Sequence, residues 1–303
     1  MIVDAHHLFG TDHWLKHNRP ALAHENTAEH AGEAMAACSA EWFACVFPFP
    51  SSEDGTYAAE NRLVLRAASR DPRLLPVLAL NPAHPDSRSD VAALLKLHPY
   101  VAGIVLWPIL CRLDLVDLAG DTWFADLVLG HGLTVTVHVA AGNEVAIGRV
   151  SSMERYLPMD AITLAQALPG VRFNLSHGLR LSEPALEAAR ELTNVWTDTS
   201  GLSAIDRWQE SGQAVFPATD AGRLGTLSAR EALACLAEEY TLGDRLLFGS
   251  SYPFNAWWDF DVSKEVRLVE EALSDPHQRK RVLAENARAY VPSTCTLHLG
   301  APK

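Results

Sequence analysis

The sequence predicts an α/β fold: a single (β/α)8 barrel that spans residues 1–303 as one domain. Eight short apolar runs with strand character alternate with amphipathic segments of helical periodicity along the whole chain. No abrupt change in composition divides them into two domains. The alternative arrangement of such units is an open doubly wound sheet, but its glycine-rich G-x-G-x-x-G turn is absent from the sequence.

The eight strand candidates are short runs rich in branched and aromatic apolar residues. The fifth alternates threonine with valine, and the eighth contains Leu246-Leu247-Phe248, a buried run that leads into a turn. In a parallel barrel the carboxyl ends of all strands face one rim, which carries the catalytic residues. The candidates are 2–9, 42–50, 74–82, 101–109, 133–140, 171–178, 194–201 and 245–254.

Amphipathic segments between these runs predict the helices. Segment 27–39 opens with Thr27-Ala28-Glu29-His30, which resembles a capping box without the ideal spacing. Segment 184–192 begins with a proline, which suits the first turn of a helix. The other helix candidates are 60–69, 264–273 and 277–290. Three long loops, expected at the catalytic rim, are 10–26, 50–57 and 202–228.

Composition limits the classes of partner. The hydrophobic fraction of 48% is that of a globular protein with a large core, and no run of about eighteen apolar residues could span a membrane. A net charge of -12 argues against nucleic acid and anionic membranes as partners. The expected partner is a small-molecule substrate, and a homo-oligomer is possible.

Cysteine usage and the N-terminus predict a cytoplasmic protein. The five cysteines are scattered and form no Cys-x-x-Cys pair, which suits a reducing compartment. The chain enters a strand at once, without the basic segment and apolar run of a secretory signal.

The first strand carries two adjacent histidines, His6 and His7, followed by Leu8. Side chains alternate along a strand, so His6 and Leu8 are expected on one face and His7 on the other. A β-bulge would turn His7 inward and add a second imidazole to the barrel interior. The alternative is a hydrogen-bonded His7 that faces the helices.

Three further polar residues stand near carboxyl ends of strands. His138 lies in the fifth strand and His177 in the sixth, so both are candidates for one pocket shared with His6. A purely structural role at a strand end is the alternative for each. Asp198, near the end of the seventh strand, is either the carboxylate of that pocket or a loop cap bonded to backbone amides.

Two segments resemble the metal-binding strands of amidohydrolase-related TIM barrels. Asp4-Ala5-His6-His7-Leu8 resembles the first strand of that family, Asp-x-His-x-His. Leu246-Leu247-Phe248-Gly249-Ser250-Ser251-Tyr252-Pro253 resembles its last strand, Leu-Leu-Phe-Gly-Ser-Asp-Tyr-Pro. The resemblance covers nearly the whole chain and includes 71–76, 156–158 and 285–288. It implies a TIM barrel that hydrolyses or decarboxylates a small molecule at a divalent metal.

Two metal positions that the resemblance implies carry no ligand. Leu8 stands where the family has its second histidine, and Ser251 stands where it has the aspartate that binds metal and handles the proton of the attacking water. His6 and His138 remain as residual ligands, whereas catalytic zinc normally has three. We therefore expect zinc binding to be weak and expect no other cofactor. The side chains whose recruitment would strengthen it are His7, His177 and Asp198.

The resemblance and these departures together predict a hydrolase of a small carboxylated or cyclic substrate, such as an ester or lactone. A histidine general base can open an activated ester without a metal. Non-oxidative decarboxylation, with His177 as proton donor, is one alternative, and a non-catalytic barrel that binds a ligand or a partner subunit is another. The candidate catalytic residues are His138, His177, Asp198 and Ser251, and the candidate substrate-binding residues are Trp107, Tyr252 and Trp257.

Two narrower hypotheses concern the end of the eighth strand. A Ser251–His177–Asp198 triad is conceivable, although Gly-Ser-Ser-Tyr is not the Gly-x-Ser-x-Gly elbow of serine hydrolases. Trp257 and Trp258 follow in an aromatic and acidic cluster. Adjacent residues in an extended turn face apart, so one is expected to line the cavity near Ser251 and the other to be buried in the shell or an interface.

Overall fold

The computed structural model describes residues 1–23, 25–27, 41–52, 54–139, 157–210, 222–253 and 262–296. Its centre is a ring of eight parallel strands, which confirms the predicted (β/α)8 TIM barrel. The strands are β1 (Ile2–Thr11), β3 (Trp42–Pro48), β4 (Leu74–Ala79), β5 (Gly103–Leu106), β6 (Thr134–Val137), β7 (Phe173–Leu175), β8 (Val195–Asp198) and β9 (Leu246–Leu247).

Seven of the predicted strand runs contain one of these strands, and β1 extends two residues beyond the predicted run 2–9. The short β2 (Glu25–Asn26) pairs antiparallel with the end of β1, inside a segment that the sequence predicts as loop. The barrel closes where β9 and the residues after it meet β1. There the Ala5 N–H donates to the Phe248 carbonyl at 2.8 Å, and the Leu8 N–H donates to the Tyr252 carbonyl at 2.9 Å.

Helices surround the barrel. They are α1 (His13–Asn18), α2 (Ala58–Ala68), α3 (Pro85–Leu97), α4 (Pro108–Cys111), α5 (Leu115–Ala119), α6 (Thr122–Gly130), α7 (Pro158–Ala167), α8 (Glu183–Arg190), α9 (Ile205–Glu210), α10 (Ala229–Ala234), α11 (Val262–Ala272), α12 (Pro276–Lys280), α13 (Asn286–Tyr290) and α14 (Ser293–Thr296). One π-helical turn (Cys235–Glu239) continues α10, and another (Arg281–Glu285) joins α12 to α13. Short 3-10 turns span Pro20–Leu22, Leu202–Ala204 and Gly222–Thr226.

Four of the five helix predictions meet helices in the structure, at α2, α8, α11 and the series from α12 to α13. The predicted helix at 27–39 lies outside the described residues apart from residue 27. Trp257 and Trp258 also lie outside them, so their expected roles stay predictions. No helix in the described ranges combines the length and the apolar character that crossing a bilayer demands.

The C-terminal helices close the amino end of the barrel. Tyr290 and Cys295 belong to the same buried apolar cluster as the interior residues of β1, β3 and β4. The Cys295 thiol contacts the carbonyl of Tyr100, just before β5, and Arg172, just before β7, donates to the carbonyl of Ala289. The site therefore has to form at the opposite, carboxyl end of the strands.

Glu265 is a buried acid in the first turn of α11. It is 1% exposed and accepts a hydrogen bond from the Ser203 hydroxyl. Burial, reinforced by the charge of Asp4, raises the pKa of Glu265 to about 8. The folded protein therefore holds this carboxyl group in its protonated form at neutral pH.

The raised pKa of Glu265 predicts a stability that falls as pH rises. Between the ordinary pKa of 4.5 and about 8, the folded state holds one more proton than the unfolded state. Each pKa unit corresponds to about 1.4 kcal/mol, so wild-type protein should lose a few kcal/mol of unfolding free energy across this window. Glu265→Gln mimics the neutral acid and should remove that loss.

Urea denaturation at pH 5 and pH 8.5 measures this effect. The exposed Glu187, which is paired with Arg190, gives a control variant, Glu187→Gln, whose pH dependence should follow that of wild type. If Glu265→Gln and wild type change in parallel between the two pH values, then Glu265 does not titrate as inferred.

Candidate active site at the carboxyl rim

Three histidines converge at the carboxyl end of the barrel. His6 lies on β1, His138 follows β6 and His177 follows β7. One ring nitrogen from each lies within 4.8 Å of the others. The Nε2 atoms of His138 and His177 are 2.8 Å apart, and the ring centroids of His6 and His177 are 4.9 Å apart. The structure thus brings together the three imidazoles that the sequence predicts for one pocket.

The carboxylate of Asp198, the last residue of β8, lies beneath these rings and is fully buried. Its Oδ2 accepts from His6 Nδ1 at 3.0 Å and from Asn174 Nδ2 at 2.7 Å. Its Oδ1 accepts the His177 N–H at 3.0 Å, the Ser200 N–H at 3.1 Å and the Ser200 hydroxyl. Five donors from β1, β7 and the segments after β7 and β8 therefore meet on one carboxylate.

These donors keep Asp198 ionised. Burial alone would raise its pKa, but the adjacent His6 imidazole and the hydrogen bonds from His6 and Ser200 outweigh burial and hold the pKa of Asp198 well below its ordinary value. The sequence left two alternatives for Asp198, a loop cap or the carboxylate of the pocket, and both apply in part. Asp198 accepts hydrogen bonds from backbone amides, as a cap does, and it also accepts one from a pocket histidine.

Ser200 fixes the tautomer of His177. The His177 Nδ1 lies 2.8 Å from the Ser200 carbonyl, which can only accept, so Nδ1 carries the hydrogen. Likewise, the carboxylate of Asp198 requires a hydrogen on Nδ1 of His6. The Ser200 hydroxyl donates to Asp198 and accepts from both imidazoles, at 2.9 Å for His177 and 3.2 Å for His6. When either ring is neutral, its lone pair therefore lies on Nε2.

His177 stays neutral at physiological pH. Burial and the nearby His6 lower the pKa of His177 to about 4, although Asp198 and the Ser200 carbonyl act in the opposite direction. Its Nε2 then accepts the hydrogen bond for which His138 Nε2–H is the donor. A neutral, oriented imidazole beside a proton donor is an arrangement suited to general-base catalysis.

His177 opens a strained turn. Residues His177 to Leu181 all have positive φ values, between 53° and 58°, which places five successive residues in the left-handed region. Only Gly178 adopts this conformation without steric cost, and each other residue costs about 1–2 kcal/mol. All five residues are buried, and Asp198 accepts a hydrogen bond from the backbone N–H of His177, the first residue of the turn. Strain of this kind clusters at functional sites.

Apolar residues form one wall around the histidines. Leu8 is 1% exposed and packs in the interior cluster with Phe47 and Trp107. The Trp107 ring lies 4.5 Å from that of His138, and the Phe47 ring lies 5.0 Å from that of His6. Trp107 is therefore placed beside the pocket, as a substrate-binding residue would be.

Ser251 follows β9 with a φ of 54°, and its N–H donates to the His6 carbonyl at 3.0 Å. The backbone of Ser251 therefore lies beside that of His6, where the barrel closes. The serine hydroxyl that is hydrogen-bonded to His177 is that of Ser200, on Nδ1. This geometry departs from the conceivable Ser251–His177–Asp198 triad, because the Asp198 carboxylate contacts the His177 backbone instead of its ring.

His7 does not join the three histidines. The register of β1 against β3 does shift between Asp4 and His7, as a bulge requires. However, the His7 ring bonds Asp4 at 3.0 Å and Asn26 at 3.1 Å, and stacks on Tyr252. The possibility that a bulge turns His7 into the pocket is therefore wrong. Tyr252, expected to bind substrate, contacts His7 through this stacking.

The three imidazoles fit a divalent metal such as zinc. The family resemblance implies such an ion, and the tautomers assigned above leave Nε2 lone pairs on His6 and His177. Metal-binding histidines typically donate their other N–H to a carboxylate or a backbone carbonyl, as these two do. Beside the two residual ligands, His6 and His138, the structure places a ring nitrogen of His177, one of the side chains whose recruitment would complete the three ligands that catalytic zinc normally has.

Sequence reasoning assigned no role to Ser200 or Asn174. Both are fully buried and both donate to Asp198. Ser200 lies two residues after Asp198, so the alternation of side chains along an extended segment is a signal that could have found it. Asn174 lies on the neighbouring strand β7, and its contact depends on a strand register that the sequence does not reveal.

Comparison with known proteins agrees with the fold. Residues 3–292 match the family described as amidohydrolase. A search of curated proteins finds no match. Among solved structures, an amidohydrolase from Burkholderia multivorans with bound zinc has 17% identity and a TM-score of 0.67, over 96% of this chain and 100% of that one.

Two other structural neighbours are enzymes with named substrates. The 5-carboxyvanillate decarboxylase of Sphingomonas paucimobilis has 12% identity and a TM-score of 0.61, over 95% of this chain and 98% of that one. The 4-oxalomesaconate hydratase of Rhodopseudomonas palustris has 16% identity and a TM-score of 0.60, over 99% and 98%. At such identities these neighbours show a shared fold.

The five donors on Asp198 predict a large loss of stability for Asp198→Asn. An amide group cannot accept at both atoms, so at least one buried donor would face the new NH2 group. Removing one partner of a buried charged pair costs about 3 kcal/mol or more. Asp71→Asn, at a half-buried surface carboxylate paired with Arg73, should cost less than about 1 kcal/mol. Equal urea midpoints for the two variants would contradict the inferred role of Asp198.

Proposed function

We propose that this chain, which belongs to the amidohydrolase family, hydrolyses a small carboxylated or cyclic substrate of the ester or lactone class. The observation that carries the proposal is His177, a neutral imidazole whose Nδ1–H is fixed on the Ser200 carbonyl and whose Nε2 meets the Nε2–H of His138. A base oriented by one group and adjacent to a proton donor is the arrangement that acyl transfer to water requires.

In the proposed reaction, water attacks the carbonyl carbon of the substrate while His177 Nε2 accepts a proton from that water. The His138 N–H, which donates to His177 Nε2 in the free protein, turns to the oxygen on which negative charge develops and so leaves the His177 lone pair for the proton. The tetrahedral intermediate then breaks the carbon–oxygen bond of the ester, and the proton on His177 passes to the departing alkoxide. Asp198 and Ser200 hold the imidazoles in place throughout.

A divalent cation would be held by His6, His138 and His177. When bound, zinc supplies a Lewis acid that polarises a carbonyl and lowers the pKa of water. One lone pair on His177 Nε2 cannot both bind a cation and take a proton. The general-base route therefore belongs to the metal-free protein, and it suits a pocket that has Leu8 and Ser251 at two ligand positions of the family.

A buried positive charge and two structural neighbours support the proposal that the substrate is carboxylated. Arg180 is the one lysine or arginine that is buried in the described part of the chain, at 2% exposure, and it lies three residues after His177 in the left-handed turn. A buried guanidinium group suits recognition of a carboxylate. Two structural neighbours are named for 5-carboxyvanillate and 4-oxalomesaconate, which are carboxylated molecules.

The alternatives are less well supported. Decarboxylation, the activity of one neighbour, needs a proton donor, and the lowered pKa of His177 leaves that ring without the extra proton at neutral pH. A non-catalytic barrel has no need of three imidazoles and an ionised carboxylate in one buried cluster, because burying such groups is costly.

A substrate panel tests the proposal. Carboxylated lactones and esters, together with aromatic carboxylic acids, would be offered to protein treated with a chelator, with acid release and CO2 release followed separately. Hydrolysis of a lactone or ester without CO2 is the expected result. CO2 release from an aromatic acid would instead establish the decarboxylase, and the absence of turnover on the whole panel would count against this substrate class.

His177→Asn should lower kcat on the best panel substrate by about a hundredfold or more, the usual scale for losing a positioned base. The control is His98→Asn, which changes a histidine bonded to Tyr100 just before β5, at the far end of the barrel. His98→Asn should leave kcat unchanged. An unchanged kcat in His177→Asn would assign that residue to structure.

The double change Leu8→His with Ser251→Asp should raise zinc occupancy, because it restores the two ligands that the family resemblance implies. It should also lower the melting temperature, since Leu8 is packed in the interior apolar cluster. Metal analysis of purified protein provides the measurement, and wild type should hold well under one equivalent. A full tight equivalent in wild type would show that the three imidazoles alone suffice.

A further inference from the structure

A second buried carboxylate–imidazole pair, Asp4 and His7, lies on β1 beside the active-site histidines. Both residues are fully buried. The His7 Nδ1–H donates to Asp4 Oδ2 at 3.0 Å, and the Asn26 amide donates to His7 Nε2 at 3.1 Å. The proposed chemistry uses neither side chain. We call Asp4 and His7 the seam pair, because they lie where β1 meets the segment that follows β9.

Every donor on Asp4 comes from one side or the other of this seam. Its Oδ1 accepts the His6 N–H at 3.0 Å and the Ser250 N–H at 2.9 Å. Its Oδ2 accepts from His7 and, at 2.5 Å, from the Ser250 hydroxyl. One buried charge thus ties the backbone of His6 to the turn that contains Ser251.

The contacts of His7 extend the connection. Its ring stacks on Tyr252 with centroids 5.2 Å apart, and the two residues form a parallel bridge. The Ser251 N–H donates to the His6 carbonyl at 3.0 Å. His6 lies between Asp4 and His7 in sequence, at the shift of register in β1. Bulges re-aim side chains, and here the residue at the bulge is the one whose ring reaches Asp198.

We propose that Asp4 and His7 are positioning residues that fix the bulge in β1, and so aim His6 at His138 and His177 and hold Ser251 beside it. This inference rests on the proposed role of the three histidines as one site. Apolar residues would fill the same space without desolvating a charge, so stability alone does not explain a buried pair. Since β9 has only two residues, its ladder by itself specifies the register at the seam weakly.

Three variants separate positioning from packing. His7→Phe keeps a flat ring to stack on Tyr252 but removes both ring nitrogens, whereas His7→Asn restores an N–H donor near Asp4. The control is Asp12→Asn, which changes another fully buried carboxylate, just after β1, whose partners include the Leu15 N–H and the Ser51 hydroxyl. Asp12 does not contact the seam through these bonds, so its loss should affect stability alone.

The first readout is the side-chain ¹H–¹⁵N NMR spectrum of histidine-labelled protein, which reports the tautomer of each ring. In wild type and in Asp12→Asn, His6 should show a single Nδ1–H form. In His7→Phe its signals should shift and broaden, because the ring no longer keeps one position against Asp198. His7→Asn should recover the wild-type pattern.

The second readout is the dissociation constant for Zn²⁺ alone, measured against a chelator. It should rise by about tenfold or more in His7→Phe, the scale on which residues behind metal ligands act, and stay within about twofold of wild type in Asp12→Asn. If wild type takes up no zinc, the metal-free route of the proposed function is unaffected, and the NMR spectrum alone decides the positioning role.

Unchanged His6 signals in a destabilised His7→Phe protein would overturn the proposal and leave the seam pair a packing role. If His7→Phe does not fold, Ser250→Ala decides, since it keeps His7 and removes the hydroxyl that donates to Asp4 and accepts the Tyr252 N–H. A shift of the His6 signals in Ser250→Ala supports the proposal, and wild-type signals overturn it.

Discussion

The ionised carboxylate of Asp198 is the charge on which the geometry of this site depends. A buried carboxylate is tolerated only where donors compensate for lost hydration, and here they come from His6, Asn174, His177 and Ser200. Each donor is thereby fixed in turn. The His6 ring keeps one tautomer, the first amide of the turn after β7 has its partner, and Ser200 is held where its carbonyl and hydroxyl reach His177. Residues far apart in sequence thus share one constraint.

Two buried carboxylates divide this work between them. Asp198 orients imidazole rings: it contacts His6 directly, and it contacts His177 through the hydroxyl of Ser200. Asp4 fixes backbone, through the amides of His6 and Ser250 on the two sides of the barrel closure. His6 takes part in both arrangements, with its N–H on one carboxylate and its ring on the other. The site is therefore continuous with the closure of the barrel.

The fold and the membership of the site could be predicted from sequence because both depend on local patterns. Apolar runs at regular spacing located all eight strands, and polar residues at their ends located His6, His138, His177 and Asp198. What could not be predicted depends on register and backbone conformation. The bulge in β1, the contact of Asn174 with Asp198 and the partner of His7 arise from which residues lie opposite each other across strands. Spacing along the chain likewise does not show how close His177 comes to His138.

The left-handed turn from His177 to Leu181 restricts which sequences this site can accept over evolution. Glycine and asparagine enter that conformation readily, whereas β-branched residues and proline are nearly excluded from it. The same positions are buried, so a small residue that relieves the backbone leaves a cavity where Leu179 or Leu181 now packs. The backbone favours small residues and the packing favours large ones, so few substitutions at these positions are neutral. Variation in related chains should therefore be lower across these five residues than in the helices around the barrel, whatever substrate each relative takes.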